Sequence, residues 1–263
     1  MAGLKDTTIA SGYRSLLRID DNSGVGNTIR QVTDGAGELT SLFVSEDSLR
    51  VIAKDTDGNT FEVYSKNNEN LFRVNSANDY VTALGNYVNT QYAYFGVNYV
   101  DFSHIGADTH YPIPFSAASG GGSGYNDVDF GTGTDPDDTF TTADTDTQYA
   151  SQIVPMMWFV PDNIYIDSVT SIEGADAATG DTTRMHLKSF TFNSGSTSCL
   201  TSGTLLAHNN DITNAGNEQA YSGTWTVDSA SVSSGKVILA FFRSDSAVNS
   251  DMSLNLTIKY HLV

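Results

Sequence analysis

The sequence predicts an all-β fold, and three observations support this interpretation. Gly, Ser, Thr, Asn and Asp are abundant, while Pro occurs only 5 times and Tyr and Phe 13 times each. Such a composition suits many short strands joined by tight turns. Short segments of alternating apolar residues recur along the chain, whereas heptad and amphipathic helical patterns do not. At 263 residues the chain can form one large β domain or two smaller ones.

Residues 1–30 are mixed in character, and we expect an adaptor segment there rather than an independent domain. The opening stretch, MAGLKDTTIASGYRSLL, has no apolar run of signal-peptide length. The longest apolar run of the chain, residues 237–242, is too short to cross a bilayer. We therefore expect a protein that is made in the cytoplasm and is not inserted into a membrane.

Residues 31–102 are predicted to form a repetitive β shaft. The heptapeptide FEVYSKN (residues 61–67) returns eleven residues later as FRVNSAN (residues 72–78). Each β segment offers only two or three apolar residues, which is too little apolar area to offset the ordering entropy of a lone chain. Repeats of this kind become stable when neighbours stack or several chains wrap a shared axis. An ordinary meander within a monomeric sandwich is the alternative.

The stretch YVNTQYAYFGVNYVDF (residues 87–102) is rich in tyrosine and closes the predicted shaft. Stripes of tyrosine serve more often as packing between strands or chains than as a ligand platform. We therefore expect a structural role for this stretch.

Residues 103–263 are predicted to form a β-sandwich of the jelly-roll type, with about eight strands at sandwich-like spacing. Within it, residues 117–150 form a long acidic loop with almost no apolar content, and loops of this length are usually functional or mobile. The last segment, MSLNLTIKYHLV, alternates cleanly and ties the end of the chain into a sheet. Its apolar face is formed by Met252, Leu254, Leu256, Ile258, Tyr260 and Leu262.

The net charge of −18 is unevenly distributed, because 15 Asp or Glu and no Lys or Arg lie between Arg73 and Arg184. Such a surface repels nucleic acid and anionic membranes, so neither is expected as a partner. We expect the acid to keep a β-rich surface soluble and its strand edges apart. Binding of a cation or a basic partner is the alternative.

Searches for catalytic and metal-binding patterns give no catalytic and no metal site. The motif G-x-S-x-G is absent, and GGGSGY differs from it at the last position. Cys199 has no evident partner in sequence and is expected to be an inert, half-buried residue. The five histidines are not at ligand spacing, so we expect hydrogen-bonded strand histidines rather than a metal centre. They are His104, His110, His186, His208 and His261.

Three further features have a structural and a functional interpretation. Trp158 and Trp225 could stack on a sugar, but each lies in an apolar strand, which favours core packing. Asp127-x-Asp129-x-Gly131 and residues 55–59 have the oxygen-rich composition of calcium loops, although neither supplies a full ligand set. The main expectation is therefore no cofactor, with calcium at the acidic loop as the alternative.

Two segments carry a resemblance to known proteins. DGAGELTSLFVSEDSLRV, followed by the two FxVxSxN repeats, resembles the shaft modules of phage tail-fibre and spike proteins. HYPIPF, the polar loop, MMWFVPDNIYIDSVTSIEG and RMHLKSF together are similar to the terminal β domain of fibre-like proteins, including head fibres, of marine phages. The resemblance covers about residues 31–263. It implies a homotrimer with an amino-terminal anchor, an intertwined shaft and a distal knob.

The function that this resemblance implies is that of a non-enzymatic virion protein. Because the shaft is short, a stubby spike, a short fibre or a decoration of the head fits better than a long tail fibre. Residues 1–30 would dock onto other virion proteins, and the sandwich would face host surface glycan or protein. The alternatives are a polysaccharide-degrading tailspike, which would need a pair of carboxylates, and a secreted carbohydrate-binding module, which the missing signal peptide disfavours. No ligand-binding residue is assigned from the sequence.

Overall fold

The computed structural model describes residues 17–19, 25–34, 37–53, 58–101, 106–115, 128–142, 150–175, 180–215, 219–245 and 251–263. The chain divides into two compact units, Met1–Val88 and Asn89–Val263. All described strand pairs are antiparallel, as expected for an all-β fold. No helix in the described ranges has the length and apolarity needed to cross a membrane.

The first unit contains two four-stranded sheets, with strand orders β1-β2-β3-β4 and β5-β6-β7-β8. Each sheet is a meander, because every strand pairs with the next one along the chain. The strands are β1 (Arg18–Ile19), β2 (Arg30–Thr33), β3 (Leu39–Val44), β4 (Leu49–Val51), β5 (Asn59–Tyr64), β6 (Asn70–Asn75), β7 (Tyr80–Ala83) and β8 (Asn86–Tyr87).

The two copies of the sequence repeat form a β-hairpin in which they pair with each other. Phe61 lies opposite Val74, and Val63 lies opposite Phe72. The polar corner between them is the turn: the Ser65 hydroxyl accepts hydrogen bonds from the backbone N–H groups of residues 67 and 69. Asn68 supplies the left-handed residue of this turn, with φ of 63°.

The second unit is a β-sandwich of two antiparallel sheets. One sheet has the order β16-β12-β20-β9, with β18 also paired to β12; the other has the order β10-β19-β13-β14-β17, with β11 on β19 and β15 on β13. The strands are β9 (Thr90–Asp101), β10 (Tyr111–Ile113), β11 (Trp158–Phe159), β12 (Ile164–Ala175), β13 (Thr182–Phe192), β14 (Leu200–Asn209), β15 (Ile212–Thr213), β16 (Gln219–Gly223), β17 (Trp225–Val227), β18 (Ser231–Val232), β19 (Lys236–Ser244) and β20 (Asp251–Leu262).

The core of the sandwich lies between its two sheets. The five-stranded sheet contributes alternate residues of β20, with Met252, Leu254, Leu256 and Ile258 at most 3% exposed. The seven-stranded sheet contributes Met185, Leu187, Ile238 and Phe242 to the same cluster, among others. The predicted alternation of the last strand is therefore confirmed, while the jelly-roll type stays a prediction.

A second core lies on the opposite face of the seven-stranded sheet. Residues 128–142, the helix α1 (Ala150–Ile153) and the 3₁₀ turn Val154–Met156 cover this face. As a result β19 is buried on both faces, which explains its continuous apolar run. This cluster consists of Val128, Phe130, Ile153, Met156, Phe190, Cys199, Leu200, Val237, Leu239 and Phe241.

In its described part the predicted acidic loop is irregular apart from one 3₁₀ turn, but it packs on the sheet, which was not expected. Residues 128–142 form a covering segment, with Phe130 fully buried and a 3₁₀ turn at Pro136–Asp138 capped by Asp135. This packing was not predicted because the segment contributes only two apolar residues, Val128 and Phe130, to the described second core. The rest of the predicted loop lies outside the described residues, apart from residue 150 at the start of α1.

The observed boundary between the units precedes the predicted one at residue 102. The tyrosine-rich stretch forms β9, which pairs along its length with β20 of the sandwich. Ala93, Phe95 and Val97 point into the sandwich core, while Tyr92 and Tyr94 are about half exposed at 53% and 52%. Alternation of small and large apolar residues with tyrosine is therefore the pattern of an edge strand with one buried face.

The predicted boundary at residue 30 also differs from the structure. Residue 30 begins β2, and β1 pairs with the other end of β2. Both strands belong to the sheet that continues into the predicted shaft. Residues 1–16 and 20–24 of the predicted anchor lie outside the described residues.

Truncation of Phe130 tests the second core. We expect Phe130→Ala to lower the free energy of unfolding by about 3–5 kcal/mol, because it removes a fully buried ring 5.1 Å from the Phe241 ring. The matched control is Phe140→Ala in the same segment, where the side chain is 44% exposed and the loss should stay below about 1 kcal/mol. Urea unfolding of both variants is the measurement. Equal losses would contradict a covering role for the segment.

Candidate functional site

The sheet β5–β8 has one apolar face and one polar face. The cross-strand pairs Phe61–Val74 and Val63–Phe72 continue into β7 through Val81 and Ala83, so all six side chains lie on one face. Phe61 is 44% exposed and Val63 41%. We call these six residues the apolar sheet face: Phe61, Val63, Phe72, Val74, Val81 and Ala83.

The opposite face of this sheet is held by polar contacts. The guanidinium of Arg73 donates to the carboxylate of its cross-strand neighbour Glu62 at 2.9 Å. The amide of Asn75 donates to the side chains of Asn59 and Tyr80. The polar face is therefore internally satisfied, and the apolar sheet face is the one that lacks full cover.

An open basin of about 380 Å³ lies in the second unit, where β13 begins and β19 ends. Its wall is polar and combines carboxylates, guanidinium groups and hydroxyls. Two of its lining residues, Arg184 and Arg243, are cross-strand neighbours on β13 and β19. We call this cavity the polar basin; it is lined by Asp108, Thr134, Asp135, Thr182, Arg184, Asp211, Arg243 and Asp245.

Ion pairs and hydrogen bonds fix the side chains of the polar basin. The side chain of Arg243 is only 5% exposed and contacts Asp108 at 2.8 Å and Asp211 at 3.6 Å. Arg184 lies 2.6 Å from the same Asp211 carboxylate oxygen. Asp245 accepts a hydrogen bond from the backbone N–H of Thr182 at 2.7 Å. The two arginines are thus neutralised locally by two of the four aspartates.

A buried hydrogen-bond network underlies one wall of the polar basin. The Thr139 hydroxyl lies 3.1 Å from His110 Nδ1 and 2.6 Å from His186 Nε2. His110 Nε2 lies 3.1 Å from the carbonyl of Gly133, so that nitrogen carries the proton and donates. His110 Nδ1 therefore accepts from Thr139, and the Thr139 oxygen accepts from His186 Nε2–H.

The burial of both imidazoles in this network favours their neutral forms. Burial lowers the pKa of His110, and burial lowers the pKa of His186 well below its usual range, with the neighbouring His110 acting in the same direction. The two neutral imidazoles therefore contribute to the free energy of unfolding above the ordinary imidazole pKa. This contribution is lost as the pH falls below that value, because the unfolded chain then binds protons that the folded chain does not.

Lys188 completes the attachment of the covering segment to β13. Its side chain is 1% exposed, and its ammonium donates to the Thr139 carbonyl at 2.9 Å and lies 3.8 Å from an Asp137 carboxylate oxygen. Burial lowers the pKa of Lys188, while Asp137, Asp138 and Asp135 act against that shift. The acid of this segment thus offsets the cost of burying a cation.

Glu173 is a second buried titratable group, located between the two sheets of the sandwich. Its carboxyl is fully buried and accepts from the Thr183 hydroxyl at 2.7 and 2.8 Å. Burial raises the pKa of Glu173 from 4.5 to about 7, although hydrogen bonds from Thr183 and Asn214 act in the opposite direction. The Oδ1 atom of Asn214 is buried and has no hydrogen-bond partner in the described part of the chain.

The residues singled out in the sequence are placed mainly in structural roles. Trp158 is 7% exposed and stacks on Phe115 at 5.8 Å, and the Trp225 indole donates to Ser171 at 2.8 Å. Cys199 is buried in the second core, deeper than predicted, because the covering segment closes over it. Among the histidines outside the network, His208 contacts Asp228 and His261 contacts Asp167, while His104 lies outside the described residues.

The calcium alternative is not tested by the described residues. Asp127 and residues 54–57 lie outside them, and Asp129 accepts a hydrogen bond from the Gly131 backbone at 2.6 Å. Within the described ranges, no group of three His, Cys, Asp or Glu side chains is arranged to hold a metal ion. The polar basin was not predicted from the sequence, because its residues come from distant segments and form no motif.

Comparison with known proteins adds no family assignment. No family model and no curated protein matches the sequence. One similar solved structure is an aminopeptidase from the marine sediment archaeon Thaumarchaeota archaeon, with a TM-score of 0.33 and 7% sequence identity. The alignment covers 73% of this chain and 40% of that enzyme. At this TM-score the likeness carries no argument about fold or function.

Removal of the Thr139 hydroxyl tests the buried network. We expect Thr139→Val to lower the free energy of unfolding by about 1–3 kcal/mol, because two buried imidazole nitrogens lose their partner. Thr141→Val, at an exposed position of the same segment, is the matched control and should have little effect. Urea unfolding gives the energies, and amide hydrogen exchange over residues 128–142 should accelerate in the first variant alone. Unchanged exchange would argue against the network.

Replacement of Glu173 by glutamine tests the buried carboxyl. As the pH rises from 4.5 to about 7, the unfolded chain releases the Glu173 proton while the folded chain retains it. The free energy of unfolding therefore falls over this range. We therefore expect the change in free energy of unfolding caused by Glu173→Gln to be about 3 kcal/mol more favourable at pH 8 than at pH 4. Melting temperatures at both pH values give the comparison, with exposed Glu46→Gln as control. A pH-independent difference would mean that Glu173 does not titrate in this range.

Proposed function

We propose that this chain is a non-enzymatic virion structural protein that assembles as a homotrimer. It forms a short fibre, a spike or a decoration of the head, and it displays its β-sandwich for attachment to the host surface or for decoration of the capsid. It is assembled in the host cytoplasm and exposed on the particle.

The observation that carries this proposal is the scarcity of buried apolar side chains in the first unit. Among its described residues, Val32 is the only hydrophobic side chain that is buried. A segment of this size cannot offset its ordering entropy with so little burial. Large hydrophobic side chains are exposed instead, namely Leu17, Val25, Leu39, Leu49, Ile52, Phe61, Val63, Tyr64, Leu71, Leu84 and Val88.

A second copy of the chain is the partner that best fits the apolar sheet face. This face carries no charge, whereas a net charge of −18 makes contact between copies unfavourable over most other surfaces. A partner that stabilises the fold must be present whenever the chain is made. Other copies of the chain are always present at that time, because they are made together with it. Repetitive β segments gain stability in this way when chains wrap a common axis.

The resemblance to phage fibre and spike shafts favours three copies over two. In that arrangement the amino-terminal segment would dock onto other virion proteins. Three sandwiches displayed together would multiply weak contacts with host surface glycan or protein through effective concentration. Attachment would then need no chemical step.

A polysaccharide-degrading tailspike is the second candidate function. It is favoured by one observation, the presence of four aspartates in the polar basin, since glycoside hydrolysis uses a pair of carboxyl groups. An assay for new reducing ends on host envelope polysaccharide separates the two functions. Release of reducing ends that is lost in Asp245→Asn would replace the non-enzymatic proposal.

The mass of the native protein tests the assembly. We expect native mass spectrometry to give a particle of three 28.2 kDa chains. Val63→Glu should dissociate it, because the charge falls on the apolar sheet face at a side chain that is already 41% exposed in the single chain. Thr82→Glu adds the same charge beside Arg73 on the polar face and should leave the trimer intact.

Two results would contradict this assembly. A folded wild-type monomer would remove the main physical support of the proposal. Equal sensitivity of the trimer to both variants would show that the apolar sheet face is not the contact between copies. Circular dichroism of each variant verifies that the β content is retained.

A further inference from the structure

We propose that the polar basin binds a neutral saccharide. This inference rests on the proposed function, because it names the ligand class through which the sandwich would contact a host surface.

The first step is the mixture of donors and acceptors in the basin. Asp108 and Asp211 are engaged by the arginines, and Asp245 uses its Oδ1 atom to accept from Thr182. Asp135 uses its Oδ1 atom to cap the 3₁₀ turn. Among the described residues, the second carboxylate oxygen of Asp245 has no bonded partner, so it can accept from an outside donor. The Arg184 guanidinium donates one N–H to the Thr134 carbonyl at 3.3 Å and has further N–H groups on the same wall. The Thr182 hydroxyl also lies there, 3.3 Å from the Thr213 hydroxyl.

The second step is the exclusion of other ligand classes. An anion would meet four aspartates against two arginines, within an acidic protein. An apolar ligand would displace water from the polar groups of the wall and would offer them no hydrogen bonds in return. Sugar hydroxyls donate and accept at once, so a neutral saccharide satisfies both kinds of group without a net charge.

The third step is rigidity. Arg243 is held by ion pairs with Asp108 and Asp211 and is almost fully buried. Thr134 and Asp135 belong to the segment that is fixed by the bonds of Thr139 and Lys188. A wall that is fixed before binding loses little conformational entropy when a ligand arrives. At about 380 Å³ the basin is within the size range of small-molecule sites.

Saturation-transfer difference NMR on the unmodified full chain tests the inference. The probes are glucose, galactose, mannose and N-acetylglucosamine, with glucuronate as the anionic and putrescine as the cationic comparator. We expect saturation transfer to at least one neutral sugar and weaker or no transfer to the comparators. Transfer to glucuronate or putrescine alone, or to no probe, overturns the inference.

A matched pair of variants locates the binding. Asp245→Asn keeps the Oδ1 acceptor for the Thr182 N–H and replaces the second carboxylate oxygen by an amide donor, so the local fold is retained. We expect it to weaken sugar binding about tenfold, which corresponds to about 1.4 kcal/mol. Asp162→Asn, at an exposed position outside the basin, should leave binding unchanged. Equal binding by both variants overturns the assignment of the site.

The native mass of the same sample separates this inference from the proposed function. A trimer that binds no sugar overturns the inference and leaves the proposed assembly in place. A monomer that binds sugar through the polar basin overturns the assembly and leaves the inference in place.

Discussion

The hydrogen bonds of Thr139 and Lys188 join the covering segment to the outer face of the seven-stranded sheet. Along β13 that face changes from Arg184 through His186 and Lys188 to Phe190, so it is polar at one end and apolar at the other. Burial of the polar part would be costly without partners, and Thr139 supplies them through its hydroxyl and its carbonyl. The second core and the wall of the polar basin both depend on this attachment.

The two units differ in the source of their stability. The sandwich has a continuous core between its sheets and a second core beneath the covering segment. The first unit has polar turns, a satisfied polar face and an apolar face that is partly open. Stability of the sandwich is therefore contained within one chain, whereas that of the first unit is completed by association in the proposed trimer.

The alternation of individual strands could be predicted from the sequence, whereas the contacts between segments distant in sequence could not. The alternation of β20 and the short β segments of the repeats follow from period-two spacing, which acts over a few positions. The role of residues 128–142 could have been inferred from the unbroken apolar run of β19, which requires cover on both faces. The polar basin joins Asp108, Arg184 and Arg243 through sheet pairing alone, and no local signal marks it.

The position of β20 has a consequence for biosynthesis. This strand lies between β9 and β12, so the five-stranded sheet cannot close until residues 251–262 have left the ribosome. Such high contact order delays folding of the sandwich on the nascent chain and leaves two strand edges unpaired meanwhile. In the described part of the first unit, each strand pairs with the next one along the chain, and this unit emerges earlier. In the proposed trimer, first units on neighbouring ribosomes of one messenger RNA would then meet before their sandwiches have formed.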